Sequence, residues 1–262
     1  MAEYGVVSLG VAASIGPGLG ALIAPLAEAA GFRALWVNDT PGADSLAVLD
    51  AASRTSERLI LATGVLPVDR RPAAQIGIQV ETSGIPQWRL VLGIGSGQTI
   101  AGGLRLVTDA ATELHNALTS RIVVGALGPR MRRLAVRASD GVLLSWLTPA
   151  VAAEQAAEAR SRAPCTHVAL YVRTALNPAA RPRLRAETTR YAGYRSYAAN
   201  LARHDMNPDD TVLDAALQPL AARLHAYRRG VDEVILRAIV VDDTLEGYRR
   251  FIDDARPLLR GP

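Results

Sequence analysis

The sequence predicts an α/β fold built as one (β/α)8 TIM barrel over residues 1–262. Three observations carry that reading. Short β-favouring runs alternate with helix-length segments along the whole chain, the pattern of parallel strands joined by crossover helices. Eight such runs fall within 262 residues, the size at which a barrel of eight units closes. No Ser/Gly-rich or charge-rich linker divides the chain, and a hydrophobic share of 49% with only two Phe describes a core of Ala, Val and Leu, suited to parallel strands and close-packed helices.

In chain order the strands are predicted over Val6–Ala12, Ala34–Val37, Leu59–Val65, Leu90–Ile94, Ile122–Ala126, Gly141–Leu144, His167–Val172 and Glu233–Ala238. Helices are predicted over Leu19–Ala30, Ser45–Thr55, Ala73–Thr82, Leu104–Thr119, Pro129–Ala138, Pro149–Arg162 and Thr244–Pro257. The interval Arg173–Gly230 is much longer than the other connections and spaces Tyr191, Tyr194, Ala198 and Leu201 as a helix would. It predicts a helical insertion between strands seven and eight at the C-terminal mouth, where barrel enzymes keep their sites. A doubly wound open sheet is the alternative. Against it, the glycine-rich turn follows the fourth strand and not the first, and Gly93, Gly95 and Gly97 do not give the GxGxxG dinucleotide fingerprint.

Composition excludes several chemistries. All 29 Lys and Arg residues are arginine, which removes Schiff-base aldolases, pyridoxal enzymes and P-loop hydrolases in their usual forms. The formal charge is +4 and the arginine pairs are spread along the chain, so no nucleic-acid surface is predicted. The single Cys165 permits no internal disulfide and reads as a buried, inert thiol; the four histidines show no metal-ligand spacing. With no signal-peptide pattern and no uninterrupted apolar run of about 20 residues, the expectation is a cytoplasmic protein that does not enter a membrane.

Five segments carry candidate chemistry. In VLGIGSG (Val91–Gly97) a buried strand delivers Gly95, Ser96 and Gly97 to a turn where backbone can approach a bulky ligand. In VVGALGPRMRRLA a strand ends at Ala126, Leu127 and Gly128, and a helix starts with Pro129 as its first residue. Free N–H groups and the positive helix end there suit a phosphate, with Arg130 as a further contact, although the same pattern describes a merely well-capped helix. In ALWVNDTPGAD, Asp39 is the candidate ligand-contacting carboxylate and the tentative catalytic residue, with an Asx-turn as the alternative. Gly64, before Val65 in LILATGVLPV, marks a bulge or close approach, and Trp146 in DGVLLSWLTP is placed either to wall a pocket or to pack under a helix. No Ser, His and acid set supports nucleophilic hydrolysis.

The order AEAAGFRALWVND, LATGVLPVDRRPA, RLVLGIGSG, ALGPRMRRLA, DGVLLSWLTP and GVDEVILRAI resembles the luciferase-like monooxygenase superfamily, in its flavin and coenzyme F420-dependent oxidoreductase branch, over nearly the whole chain. The resemblance implies a flavin-type cofactor at the strand C-termini. Its phosphate would lie against Ala126, Leu127, Gly128 and the helix after Pro129, and its ring near Asp39, Gly64, Val65 and the Gly95–Gly97 turn. It also implies a bulge with a non-prolyl cis peptide at Gly64–Val65, behind the ring, and a homodimer. Two departures stand out. Thr40 occupies the place where many relatives carry a histidine acid or base, and Gln98–Gly103 is shorter than the loop that often bears a catalytic residue there. The expectation is an F420-dependent oxidoreductase acting on a small organic substrate. The alternatives are an FMN-dependent monooxygenase and a flavin-binding or partner-binding protein without catalysis.

Overall fold

In the computed structural model, which describes residues 4–99, 101–217 and 219–259, eight parallel strands close into a barrel. In chain order the strands are β1 (Val6–Ala12), β2 (Ala34–Asn38), β3 (Ile60–Thr63), β4 (Leu66–Pro67), β5 (Leu90–Gly95), β6 (Arg121–Gly125), β7 (Gly141–Ser145), β8 (His167–Ala175), β9 (Leu213–Asp214) and β10 (Glu233–Ala238). The barrel runs β1-β2-β3-β5-β6-β7-β8-β10. The last strand pairs back onto β1, from Val6 opposite Glu233 to Gly10 opposite Arg237. That closure excludes the open sheet. The two-residue strands β4 and β9 add to β5 and β8 at their C-terminal ends.

Side chains alternate in and out along each strand. Trp36, Ala62, Val91, Val123, Leu143, Ala169, Tyr171 and Ile235 point inward and fill the barrel as one cluster. Leu35, Leu61, Leu92, Val124, Leu144, Leu170 and Leu236 point outward and join the helices in the larger core. Burial on both faces is why these strands read as unbroken apolar runs.

The barrel helices are α1 (Gly16–Ala30), α2 (Ser45–Ser53), α3 (Ala73–Thr82), α4 (Gly103–Ala117), α5 (Pro129–Ala138) and α6 (Pro149–Arg162), followed beyond the insertion by α9 (Leu220–Gly230) and α10 (Leu245–Leu259). The insertion supplies α7 (Arg181–Ala192) and α8 (Arg195–Arg203). Asp44 caps α2 by accepting from the N–H groups of Leu46 and Ala47, and Thr148 caps α6 through Val151 N–H. Ala13–Ala30, with a mean hydropathy of 1.2, is the one stretch among the described residues long and apolar enough to cross a membrane by composition. In the fold it forms the start of the helical shell, with Ile23, Ala24 and Ala27 buried in the core.

Three features refine or correct the sequence reading. The third strand is broken between Thr63 and Leu66, where the expected bulge at Gly64 and Val65 occurs and the Gly64–Val65 peptide is cis. The seventh strand, β8, continues through Arg173 to Ala175, and α9 packs on α6 as a regular barrel helix. The insertion therefore lies between β8 and α9, inside the Arg173–Gly230 interval. Arg173 reads as a strand end because a charge normally leaves a core, but its ion pair with Glu187 keeps it inside. Cys165 is exposed, in the turn between α6 and β8, because the chain must reverse there before entering the barrel.

At the N-terminal end of the barrel a polar cluster replaces apolar filling. Glu233, 5% exposed, accepts through Oε1 from Ser8 Oγ at 2.5 Å and Trp36 Nε1 at 2.7 Å, while His167 Nε2 lies 3.0 Å from Oε2.

Candidate functional site at the barrel mouth

At the C-terminal mouth, the ends of β3, β5 and β6 carry little side chain. A Cβ at Gly95 would come within 2.8 Å of the Val65 side chain, and one at Gly125 within 3.0 Å. Both glycines thus leave room for Val65 to lie across β5 and β6. Val65 and Gly125 remain half-buried, so they form an apolar floor that ligand can reach. Beside it, Asn38 Nδ2 donates to the Gly64 carbonyl while its Oδ1 is buried without a partner.

Gly64 is explained from inside the barrel. A Cβ there would sit 2.6 Å from Tyr171 Cε2 and 2.9 Å from its hydroxyl. Gly64→Ala is expected to lower stability by about 1–3 kcal/mol through overpacking, measured by urea denaturation, and an unchanged midpoint would contradict this packing. Gly97 owes its identity to the turn: its φ is +60° and the Asp69 carboxylate lies where a Cβ would be, accepting from Gln98 N–H at 2.9 Å. Ser96 is half-buried at the lip of this turn. Of the short Gln98–Gly103 stretch, residue 100 lies outside the described residues.

The floor continues into the start of α5. Ala126 N–H donates to the Leu143 carbonyl at 3.0 Å, and buried Arg132, paired with Glu158 at 2.8 Å, donates to the Leu127 carbonyl at 3.3 Å. Arg132, overlooked in the sequence, thereby holds this turn in place. Gly128 is the N-cap, with no side chain capping the helix, and nothing lies within 4 Å of the position its Cβ would take. Its φ of −94° and ψ of 157° suit any residue, so the open space is a property of the surroundings. Pro129 opens the helix and Arg130 is exposed on its first turn.

Asp39 is engaged by partners within the protein. Its Oδ1 accepts from Ser45 N–H at 3.2 Å and Ser45 Oγ at 3.0 Å, and Arg71 and Arg70 lie 3.6 and 3.8 Å from its carboxylate. It braces the start of α2 and borders a cavity of about 380 Å³ lined also by Thr40, Gly42, Ala43, Asp44, Arg70 and Arg71. Asp39→Ala is expected to destabilise the fold by about 1–2 kcal/mol, the scale of a lost helix-start contact. Thermal and urea unfolding check this, and unchanged stability would free Asp39 for a ligand role.

The other half of the mouth is filled. Trp146, with φ of +58° and 2% exposure, lies beneath α7, its ring 5.1 Å from that of Tyr191 and its Nε1 unpartnered. It packs under a helix and does not wall an open pocket. Arg173, 3% exposed, is stacked between Trp146 and Tyr191 at 4.4 and 4.7 Å, and its Nη1 donates to Ser145 Oγ at 2.7 Å. Its Nε lies 3.2 Å from Oε1 of Glu187, which α7 brings in from the insertion. Burial would raise the Glu187 carboxyl, but Arg237 and Arg173 outweigh it and hold the group below the usual carboxylate range. Ser145, Arg173, Glu187 and Arg237 were not among the sequence candidates. The available signal was the period of two along Ala169, Tyr171, Arg173 and along Glu233, Ile235, Arg237, which puts each arginine on the inward face.

No family model matches the sequence, and neither does any curated protein. Solved structures match the fold over its whole length. A structure described as an F420-dependent secondary alcohol dehydrogenase in complex with an F420-acetone adduct aligns with TM-score 0.69 at 13% identity, covering 98% of this chain and 100% of that one. Coenzyme F420-dependent tetrahydromethanopterin reductase from Methanopyrus kandleri aligns with TM-score 0.71 at 14% identity, covering 99% and 100%. Monooxygenase RslO1 from Streptomyces bottropensis aligns with TM-score 0.65 at 15% identity, covering 96% and 98%. What this chain shares with them is the (β/α)8 barrel.

Proposed function

We propose that the chain is a flavin-type oxidoreductase, with coenzyme F420 as its cofactor and FMN as the alternative, acting on a small organic substrate at the barrel mouth. One observation carries the reading: the half-exposed floor of Val65 and Gly125, backed by buried Gly95, leads to the uncapped start of α5, where Gly128 faces open space. A flat apolar ring joined to a phosphate-bearing tail has those two requirements in that order. The free Asn38 Oδ1 adds a buried acceptor beside the floor. The residues present fit the group.

When bound, such a cofactor supplies hydride chemistry at its ring, and the protein contributes binding, orientation and exclusion of water. Val65 would back the ring, Asn38 would accept a hydrogen bond from its polar edge, and the N–H groups after Gly128, with Arg130, would hold phosphate. The helix dipole adds to that last interaction. The likeness to F420-dependent enzymes supports the same class of cofactor.

A second reading, a flavin binder without turnover, is favoured by the engagement of Asp39 with Ser45 and the arginines and by Thr40 where relatives carry histidine. Titration of the purified chain with oxidised coenzyme F420 and, separately, with FMN tests both. Saturable F420 binding is the expected result; FMN binding alone would move the assignment to the alternative, and no binding of either would remove it. Hydride transfer to or from an added alcohol or carbonyl panel separates enzyme from binder.

A further inference from the structure

The filled half of the mouth holds more positive than negative charge. Arg173 on β8 and Arg237 on β10 are directly opposed in the strand register, both on the inward face, with side chains 4% and 12% exposed. Between them stands one carboxylate, Glu187, which the exposed Arg190 also approaches at 3.8 Å. Asp243, whose carboxyl also feels the charge of Arg237, is committed to Arg183 at 2.6 Å and to the Tyr248 hydroxyl at 2.8 Å. Two guanidinium groups therefore share one anion in a low-dielectric setting, where an unbalanced charge is costly.

The arginines are unequally satisfied. Arg173 has Glu187, Ser145 and two aromatic faces. Arg237 donates to its neighbour's carbonyl at Ala238, and its Nη2 stands 4.0 Å from Glu187 Oε2, beyond hydrogen-bond distance. Two buried groups on rings that neighbour Arg173 lack partners: Trp146 Nε1, in a ring 4.4 Å from the guanidinium, and the Tyr171 hydroxyl, in a ring 5.9 Å away and turned toward Gly64. An incompletely paired Arg237 and one surplus positive charge describe a receptor for a single anion. A planar carboxylate matches both the charge and the fork of an arginine; a phosphate dianion would exceed the surplus.

We propose that the substrate bears one carboxylate, received by Arg237 with Arg173 beside it, and that Glu187 partly fills this role in the free protein. The inference rests on the mouth being the substrate site of the proposed oxidoreductase. It names the chemical class of substrate, a small monocarboxylate, and two residues that select it.

The test is calorimetric titration of the purified chain with benzoate, using benzyl alcohol as the neutral control and inorganic phosphate as the competing anion. Benzoate is expected to bind, benzyl alcohol to show at least tenfold weaker binding, and phosphate to displace benzoate only weakly. Arg237→Gln should weaken benzoate at least tenfold, whereas Glu187→Gln, which removes the internal competitor, should tighten it about tenfold. A purely structural ion pair would move melting temperature in both variants without moving benzoate affinity in opposite directions. Absence of benzoate binding to both the parent and Glu187→Gln overturns the proposal, as does tighter binding of phosphate that Arg237→Gln abolishes. Should Arg237→Gln not fold, Glu187→Gln decides alone: affinity unchanged or weakened overturns it. Repeating the titrations with F420 or FMN present keeps the two readings apart. Benzoate binding without cofactor binding would remove the flavin assignment and leave the carboxylate site, and the converse would do the opposite.

Discussion

Glu233→Leu is expected to lower the free energy of unfolding by about 3–5 kcal/mol, the scale of breaking a buried charge network by removing one partner. The carboxylate accepts from Ser8, Trp36 and His167 inside the base of the barrel, and each of these groups would lose its partner together. Urea denaturation at neutral pH measures the loss; one below about 1 kcal/mol would mean the donors find replacements. The isosteric Glu233→Gln variant adds a pH test. Burial would raise the Glu233 carboxyl, but the hydrogen bonds from His167, Ser8 and Trp36, with the charge of His167, outweigh it, and the group is held below the ordinary carboxylate range. A pKa lower in the folded than in the unfolded chain means that ionisation stabilises the fold. That contribution is complete above the unfolded value of about 4.3 and is lost as pH falls through the lower folded value. The stability gap between the parent and Glu233→Gln should therefore narrow on acidification below that range, and a gap independent of pH would contradict the assignment.

Gly128→Asp is expected to weaken F420 or FMN binding by at least tenfold while leaving unfolding within about 0.5 kcal/mol of the parent. The backbone there suits any residue and the space is open, so a side chain enters without collision. Aspartate is moreover a favourable N-cap. Its carboxylate would take the α5 N–H groups that phosphate needs and would repel the phosphate itself. Fluorescence or absorbance titration reads the affinity, and calorimetric melting confirms the fold. Unchanged affinity in a folded variant would remove the phosphate from this helix start. Gly128→Ala, with no charge, should bind nearly as the parent does, which separates electrostatic from steric loss.

The barrel was legible in the sequence because its determinants are local. Strands buried on both faces show as runs such as Val6–Ala12 and Leu90–Ile94, and the helices between them declare themselves through Pro129, Pro149, Ser45 and the glycine that ends α1. The bulge at Gly64 and Val65 was legible for the same reason: a glycine inside a β-forming run marks a place where pairing gives way. The turn leading to Gly128 could be placed on sequence grounds too, since a strand, a glycine and a helix-opening proline fix where free N–H groups must point.

What faces each residue was decided by tertiary structure alone. Gly64 answers to Tyr171, 107 positions away in the chain, and Asp39 turns to Ser45 and two arginines because the loop after β4 brings Arg70 and Arg71 to it. Trp146 is covered because α7 folds back over the mouth, and Arg173 stays inside because that same helix delivers Glu187. Local sequence sets backbone conformation and the alternation of faces, so it determined the barrel and the position of its mouth. Charge pairing and burial depend on groups brought together from distant segments by closure of the sheet, and for that reason only the folded chain separates an open apolar floor from a half filled by arginine, glutamate and aromatic rings.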